Sequence, residues 1–331
     1  MKRGIAILLI GVLLFIPLDS FGKTIQNLPS SKKSSYLTKE NGLLKGKTIY
    51  VPDDYSTIQE AIDHADVGDT IKVRAGIYYE NIKVYKKLNI VGSGSSVTII
   101  DGGGRGSVVT IATHGVKFTD FTVRNGDIGI EIGYCHLISI FYSVGNTING
   151  NNITNNEVYG IRLYGSCNTV TKNNFVNNGN GILLWECSSC NRITKNNIIN
   201  NGNGIQLIFS LGNIITKNNI TNNQFLGIGS GILLDDSPGN TITKNNFINN
   251  DYGILLWDSS GNRVARNNFI GNHVQAAFDC SYFNWWFNNY WDDWKSRLPR
   301  PIKGIAHIPF TYKYIPWINF DWCPSTEPWE V

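Results

Sequence analysis

A repeat of about 22 residues runs through the middle of the chain, and it restricts the possible folds more than any other feature. Aligned on Asn146, Asn168, Asn191, Asn213, Asn240 and Asn262, successive copies are separated by 22, 23, 22, 27 and 22 residues. A fixed period of this size marks each copy as one turn of a solenoid, because so short a unit cannot bury its apolar side chains without neighbours above and below. Two residues after each reference Asn the side chain is aliphatic (Ile148, Val170, Ile193, Ile215, Ile242, Val264), and seven after it is apolar (Ile153, Phe175, Ile198, Ile220, Phe247, Phe269). Both columns are expected to point inward. Positions five, six and ten after the reference are Asn in all six copies and are assigned to turns. Asn tolerates left-handed backbone there, and identical side chains about 4.8 Å apart on successive coils hydrogen-bond as a ladder. A third strand opens with Gly and an aliphatic residue: Gly160-Ile161, Gly181-Ile182, Gly204-Ile205, Gly231-Ile232, Gly253-Ile254. Three short strands and three turns per period predict an all-β, right-handed parallel β-helix. A leucine-rich repeat has a similar period, but its Leu-dominated consensus is absent.

The flanking sequence sets the boundaries. Alternating segments such as Thr70-Ile71-Lys72-Val73 and Val97-Thr98-Ile99-Ile100 predict less regular coils from residue 48 onward. The solenoid is assigned to residues 48–280, about ten coils, with 146–272 its regular part. Ser56 to Asp63 reads as a short capped amphipathic helix that covers the open N-terminal end. Seven of the nine Trp and six of the ten Pro fall in residues 281–331, which are therefore assigned to a C-terminal cap. Residues 1–22 begin with Lys2 and Arg3 and continue as an apolar run from Ile5 to Leu18. That run, about 14 residues, is short of the ~20 needed to cross a bilayer, so it reads as a secretory signal rather than an anchor. Residues 23–47 read as a polar linker. The mature chain is expected outside the cytoplasm, without a membrane span, as a monomer; nucleic acid is not an expected partner. Charged residues make up 16%, well below the usual quarter, in keeping with an exported protein that covers itself with neutral polar groups.

Residues 49–101, with Tyr50-Val51-Pro52, Thr57-Ile58-Gln59-Glu60-Ala61-Ile62, the Gly76 to Asn81 turn and Asp101-Gly102, resemble the first coils of pectin-lyase-like β-helices. The Asn-rich coils resemble the NosD-like β-helix repeats of archaeal surface and secreted proteins, and Asn289-Tyr290-Trp291-Asp292-Asp293-Trp294 is similar to a tail motif that closes many of them. The resemblance implies the fold and a broad class of function: carbohydrate binding or processing at the cell surface, or an accessory role in copper-site maturation of nitrous-oxide reductase.

Three groups of residues are candidates for function. Lys172, Lys195, Lys217, Lys244 and Arg266 occupy position four in five consecutive coils. Stacked in register, they form a line of like charge that either faces solvent and blunts sheet association or docks a linear anionic chain, a uronate polysaccharide or other anionic surface polymer. Asp235, Asp236 and Asp258, with Trp185 and Trp257 in the column of Asp235, are the candidate catalytic acids and sugar platforms. Asp236 and Asp258 are expected on adjacent coils, where they form a carboxylate pair or share a Ca²⁺; the competing reading is that Asp-Ser-Pro-Gly and Asp-Ser-Ser-Gly are ordinary turns. The five-residue excess at Gln224 to Gly229 directs attention to that region. The His-Gly and Arg-x-Lys signatures of β-helix polygalacturonases are missing, and Arg162 or Arg124 is left as a lyase base without a supporting pattern. Five scattered histidines and a single Met predict no copper or zinc site.

Cys167 and Cys190 directly precede their reference Asn and are expected to stack on adjacent coils as a disulfide, although in-register stacking sets their Cβ atoms slightly too far apart without local adjustment. A Cys280–Cys323 bridge is a second expectation, tying down the cap. No resident cofactor is predicted. The residues favour a module that binds polysaccharide without catalysis; the alternatives are a polysaccharide lyase, hydrolase or epimerase using Asp235, Asp236 and Asp258, and a copper accessory protein.

Overall fold

The structure, a computed structural model, describes residues 46–136, 139–307 and 313–331. The expected signal at 1–22 and nearly all of the linker lie outside these residues. The described chain winds into a right-handed parallel β-helix of about 11 turns. Three sheets line it. The first begins at Thr48–Val51 and includes the three-residue strands Thr169–Thr171, Arg192–Thr194, Ile214–Thr216 and Thr241–Thr243. The second runs from Gly76–Tyr79 to Tyr290–Trp291, and the third from Ile82–Val84 to Arg300–His307. Each coil visits the sheets in that order.

Pairing is in register throughout the regular part: Val170 aligns with Ile193 and then Ile215 in the first sheet, and Phe175 with Ile198 and Ile220 in the second. These inward residues have no exposed surface. Strands of three residues expose two side chains and bury one, so each aliphatic column becomes a continuous apolar stack one coil apart. The strand-opening glycines have a steric reason: a Cβ on Gly204 would fall 2.5 Å from the carbonyl oxygen of Gly231 on the next coil.

Three buried Asn ladders run through the regular coils from Asn146, Asn151 and Asn156 onward, at the reference position and at positions five and ten. At position five, the Asn196 backbone N–H and Nδ2 both donate to Asn218 Oδ1, at 3.0 and 2.9 Å, and Asn218 repeats the pattern on Asn245. Each amide therefore satisfies the corner of the coil below it, where strand pairing stops. Two turn expectations need correction. Position six is not a turn: Asn174, Asn197 and Asn219 begin second-sheet strands, and Asn152, Asn174 and Asn197 form an outer ladder. The left-handed backbone belongs instead to position four, the Lys/Arg column, and position nine, Asn155 to Asn249.

The ends are built differently. A helix at Ile58–His64, with Thr57 and Glu60 forming a reciprocal capping box, buries Ile58, Ala61 and Ile62 against the first coils as expected. The C-terminal boundary, however, falls later than residue 280. Trp285–Phe287, Tyr290–Trp291 and Arg300–His307 form another coil, with Trp286 aligned to Val264 and Trp291 to Phe269. Trp286 and Trp291 are core, and the Phe247, Phe269 and Trp291 rings stack at 4.9 and 4.1 Å. The cap itself is Tyr314–Asp321, antiparallel to Arg300–His307. Its buried Asp321 carboxylate accepts from the Asn288 and Asn289 N–H groups, Asn289 Nδ2 and Trp291 Nε1.

Candidate functional site

The corner between the first and second sheets carries Lys172, Lys195, Lys217, Lys244 and Arg266, all at φ of 56 to 58°. Each follows a three-residue strand and hands its N–H to the next coil, Lys195 to the Thr216 carbonyl and Lys217 to the Thr243 carbonyl, both at 3.3 Å. The buried position-five Asn that follows holds the corner closed, so the side chain has nowhere to go but outward. The column is bounded by Asp120 and Gly150 below and Asn288 above, all likewise in left-handed backbone. No described ion pair involves any of the five cations. Beside them lies a groove of about 530 Å³, floored by Thr171, Thr194, Thr216 and Thr243 and joined by Arg192. The described outward positions of the first sheet from Thr169 to Ala265 include no acid. Arg266 stands 5.7 Å from the Trp329 ring, a cation–π contact that covers the upper end of the line.

The acids gather at the other edge of the first sheet, where the third sheet turns into it. Asp235 aligns with Ile208 on one side and Trp257 on the other, followed by Asp279; Trp185 aligns with Ile208 one coil earlier. Asp236 and Asp258 occupy adjacent coils in the next column, each at φ 44°. Their N–H groups donate to the Trp257 and Asp279 carbonyls, at 3.1 and 3.0 Å. Burial, then the charges of Asp236 and Asp258, hold the Asp235 carboxyl above the usual range. Burial, then Asp236 and Asp279, do the same to Asp258, partly opposed by His307. Burial and Asp279 push the Cys280 thiol up to about 11. Arg162 and Arg124, the candidate lyase bases, are occupied: Arg162 pairs with Glu131 at 2.6 Å and Arg124 with Asp101 at 2.8 Å.

The loop at Gln224 to Gly229 lies at the corner between the second and third sheets, anchored by the Asp251 carboxylate, which accepts from the Phe225 and Gly229 N–H groups. The whole strand Ser230–Asp235 separates it from the acids, so it does not border them. A further feature of the repeat supports the acidic corner: Ser210, Ser237, Ser259 and Ser281 form a buried hydroxyl ladder, in which Ser237, Ser259 and Ser281 Oγ each accept the preceding coil's Ser N–H at 2.9 to 3.0 Å. Its signal was present in the sequence as a Ser three residues before the reference Asn.

Both expected disulfides give way to free thiols. Cys167 and Cys190 do stack on adjacent coils in left-handed backbone, where Gly145, Gly212, Gly239 and Gly261 serve in other coils. In-register stacking at about 4.8 Å exceeds the ~3.8 Å Cβ separation a disulfide needs, and the Cys190 thiol remains a hydrogen-bonding neighbour. Cys280 leaves the third sheet, whereas Cys323 follows the last strand at the corner near Asn289, so they belong to different corners.

Coils of this kind define a class, the pectin-lyase-like parallel β-helix proteins. Within it, the chain belongs to the family described as "Periplasmic copper-binding protein (NosD)", whose model matches residues 62–251 and 219–298. Among solved structures, tailspike protein 2 of bacteriophage CBA120 is 15% identical, with a TM-score of 0.54 over 75% of this chain and 40% of that one. The DFA-IIIase of Arthrobacter chlorophenolicus A6 is 12% identical, with a TM-score of 0.52 over 85% of this chain and 86% of that one. An alginate lyase of Paenibacillus sp. FPU-7 is 13% identical over 72% of this chain and 95% of that one, with a TM-score of 0.48. These likenesses are likenesses of fold. No curated protein matches the chain. The family description implies copper, but among the described residues no group of three or more His, Cys, Asp or Glu is placed to hold a metal. The Cys167 and Cys190 thiols are the nearest to a soft ligand set, and the Cys167 pKa is raised, which keeps its proton on. The described residues thus place no set of copper ligands together. Among them, too, no helix is long and apolar enough to cross a membrane.

Proposed function

We propose that the protein is an exported β-helix module that binds a linear anionic polysaccharide along its basic corner, without catalysis. One observation carries the reading: five cations stand in consecutive coils without a described ion pair, and four of them, Lys172, Lys195, Lys217 and Lys244, line a threonine-floored groove. Like charges held about 4.8 Å apart repel, and a fold that retains them gains most from a ligand whose anions recur along the same axis. A polyuronate is such a ligand, because each sugar advances the polymer by roughly one coil rise and brings one carboxylate. Thr hydroxyls on the groove floor suit its ring hydroxyls.

Affinity electrophoresis of the purified protein against alginate and polygalacturonate, over a series of salt concentrations, tests this. Retardation that weakens steeply with salt, and loses that salt dependence in Lys195→Glu/Lys217→Glu, supports it; retardation equally salt-sensitive in that variant rejects it. A second reading rests on the carboxyls of Asp235 and Asp258, which burial and neighbouring carboxylates raise, the direction a general acid needs. It takes the protein to be a lyase, hydrolase or epimerase, with Ca²⁺ as the ion that neutralises the remaining acids. New reducing ends or unsaturated products from the same polymers, lost in Asp236→Ala/Asp258→Ala, would establish it.

A further inference from the structure

The three inner Asn ladders end differently at the C-terminal end of the solenoid. At the position-five ladder, Asn289 Nδ2 donates to the Asp321 carboxylate at 2.9 Å. At the position-ten ladder, Asn272 Nδ2 donates to Gln275 Oε1 at 2.7 Å. In both, the chain supplies the oxygen that the missing next coil would have supplied. At the reference ladder, Asn284 Oδ1 accepts the Asn262 N–H at 2.8 Å, but Asn284 Nδ2 is buried and has no partner. Asn284 is 92% buried, so the group is not simply turned to solvent. Two further donors in the same place are in the same condition, Trp286 Nε1 and Asn319 Nδ2. A buried donor left without an acceptor is costly, and three along one lining call for an acceptor-rich ligand.

All three residues line one cleft of about 610 Å³. It exists because the closing strand rejoins the first sheet only at Asp321, opposite Trp286, and bends away before it. The rest of its lining includes Trp285, Phe287, Trp317 and Trp322, of which Trp285 is 73% exposed. No lining side chain is charged. Trp285 and Phe287 also continue the first sheet in register, directly above Arg263 and Ala265. The cleft is therefore an aromatic extension of the same face that carries the basic groove.

We infer that this cleft is a binding subsite for a pyranose ring of a polysaccharide. Aromatic faces take the C–H face of a sugar, and the orphaned side-chain amides of Asn284 and Asn319 take its hydroxyl and ring oxygens. A ligand oxygen on Asn284 Nδ2 completes the one ladder the chain leaves open. Because the lining is neutral, the subsite reads the ring and not its charge. The evidence is separate from that for the basic corner, and a chain bound at both would cross from cations to aromatics along one sheet.

Calorimetric titration of the full protein with cellohexaose and with an alginate hexasaccharide tests the inference. Saturable binding of both is expected, weakened at least tenfold by Trp285→Ala, with cellohexaose binding unchanged in Lys195→Glu/Lys217→Glu. Asn284→Ala should weaken binding similarly, and Trp285→Ala, at an exposed position, keeps the test valid if that variant fails to fold. Binding of cellohexaose without salt-sensitive alginate binding would support the cleft and reject the basic-corner reading. No heat with either hexasaccharide, or equal binding by Trp285→Ala, overturns the inference, as does a dimer in sedimentation that Trp285→Ala dissociates.

Discussion

Two corners flank the first sheet, and each stacks like charges without counter-ions. The basic corner does so over five coils, with side chains directed away from the body and a groove beside them. The acidic corner does so over a shorter run, interrupted by Trp257, with carboxyls sunk enough that Asp235 and Asp258 are raised. The supporting ladders differ in the same sense. Behind the cations, each Asn makes bonds to the coil above and the coil below; behind the acids, each Ser offers a single hydroxyl. A rigid corner with charges held out in water is suited to recognising a repeating ligand. A corner that brings carboxyls together raises them against one another instead.

The supporting ladders give the largest expected effect. Asn218 accepts from the Asn196 N–H and Nδ2 and donates to the Ile193 carbonyl and Asn245 Oδ1, all buried. Asn218→Ala strands several of these groups and should cost about 3 kcal/mol or more in urea unfolding. Ser237→Ala removes one acceptor from the Ser210 N–H and one donor to the Asp235 carbonyl, and should cost about 1 kcal/mol. Equal losses would erase the distinction between the corners. Next in size, reversing Lys195, Lys217 and Lys244 together to Glu should lower polyuronate affinity about a hundredfold and flatten its salt dependence, while leaving urea stability nearly unchanged.

Most of the architecture was legible because a 22-residue period leaves few alternatives, and the inward columns, the N-terminal capping box and the cation line followed from counting. What stayed hidden had physical causes. The last coil is disguised because Tyr290 and Trp291 replace the Asn and the Ile or Phe of the repeat, although Asn284 and Asn289 keep the spacing. Position six looked like a turn because an outer Asn ladder on a strand and an inner one at a corner use the same residue. The free thiols at Cys167 and Cys190 turn on a local adjustment of about an ångström, which the alignment shows to be needed but cannot show to be absent. The loop at Gln224 to Gly229 is near Asp235 in sequence but a full strand away in space. The open end of the reference ladder had no sequence signal, since an unpaired Nδ2 depends on where the closing strand bends.

A smaller effect concerns the left-handed column shared by glycines and cysteines. Cys167 adopts φ 55° where Gly145 and Gly212 serve in other coils. A left-handed conformation costs a residue with a Cβ about 1 kcal/mol, part of which Gly returns to the unfolded chain as entropy. Cys167→Gly should therefore be neutral to about 1 kcal/mol stabilising in urea unfolding. A clear loss would mean that the contact with Cys190 matters to the fold after all.

The smallest effect tests the acidic corner through pH. Asp258 has a folded pKa above its unfolded value of about 3.9, so the folded state holds the proton more tightly. Its contribution to stability is then fully present below that unfolded value and is lost as pH rises through the folded one. Asp258→Asn removes the loss, so the variant should melt higher than the parent at pH 7, by about 2 °C or less for so exposed a group, and the difference should close by about pH 3. Melting curves of both proteins from pH 3 to pH 8 decide it. A variant that melts lower at pH 7 would show that a bound cation, or His307, makes the Asp258 charge favourable, and the acidic corner would then be a binding site and not a repulsive one.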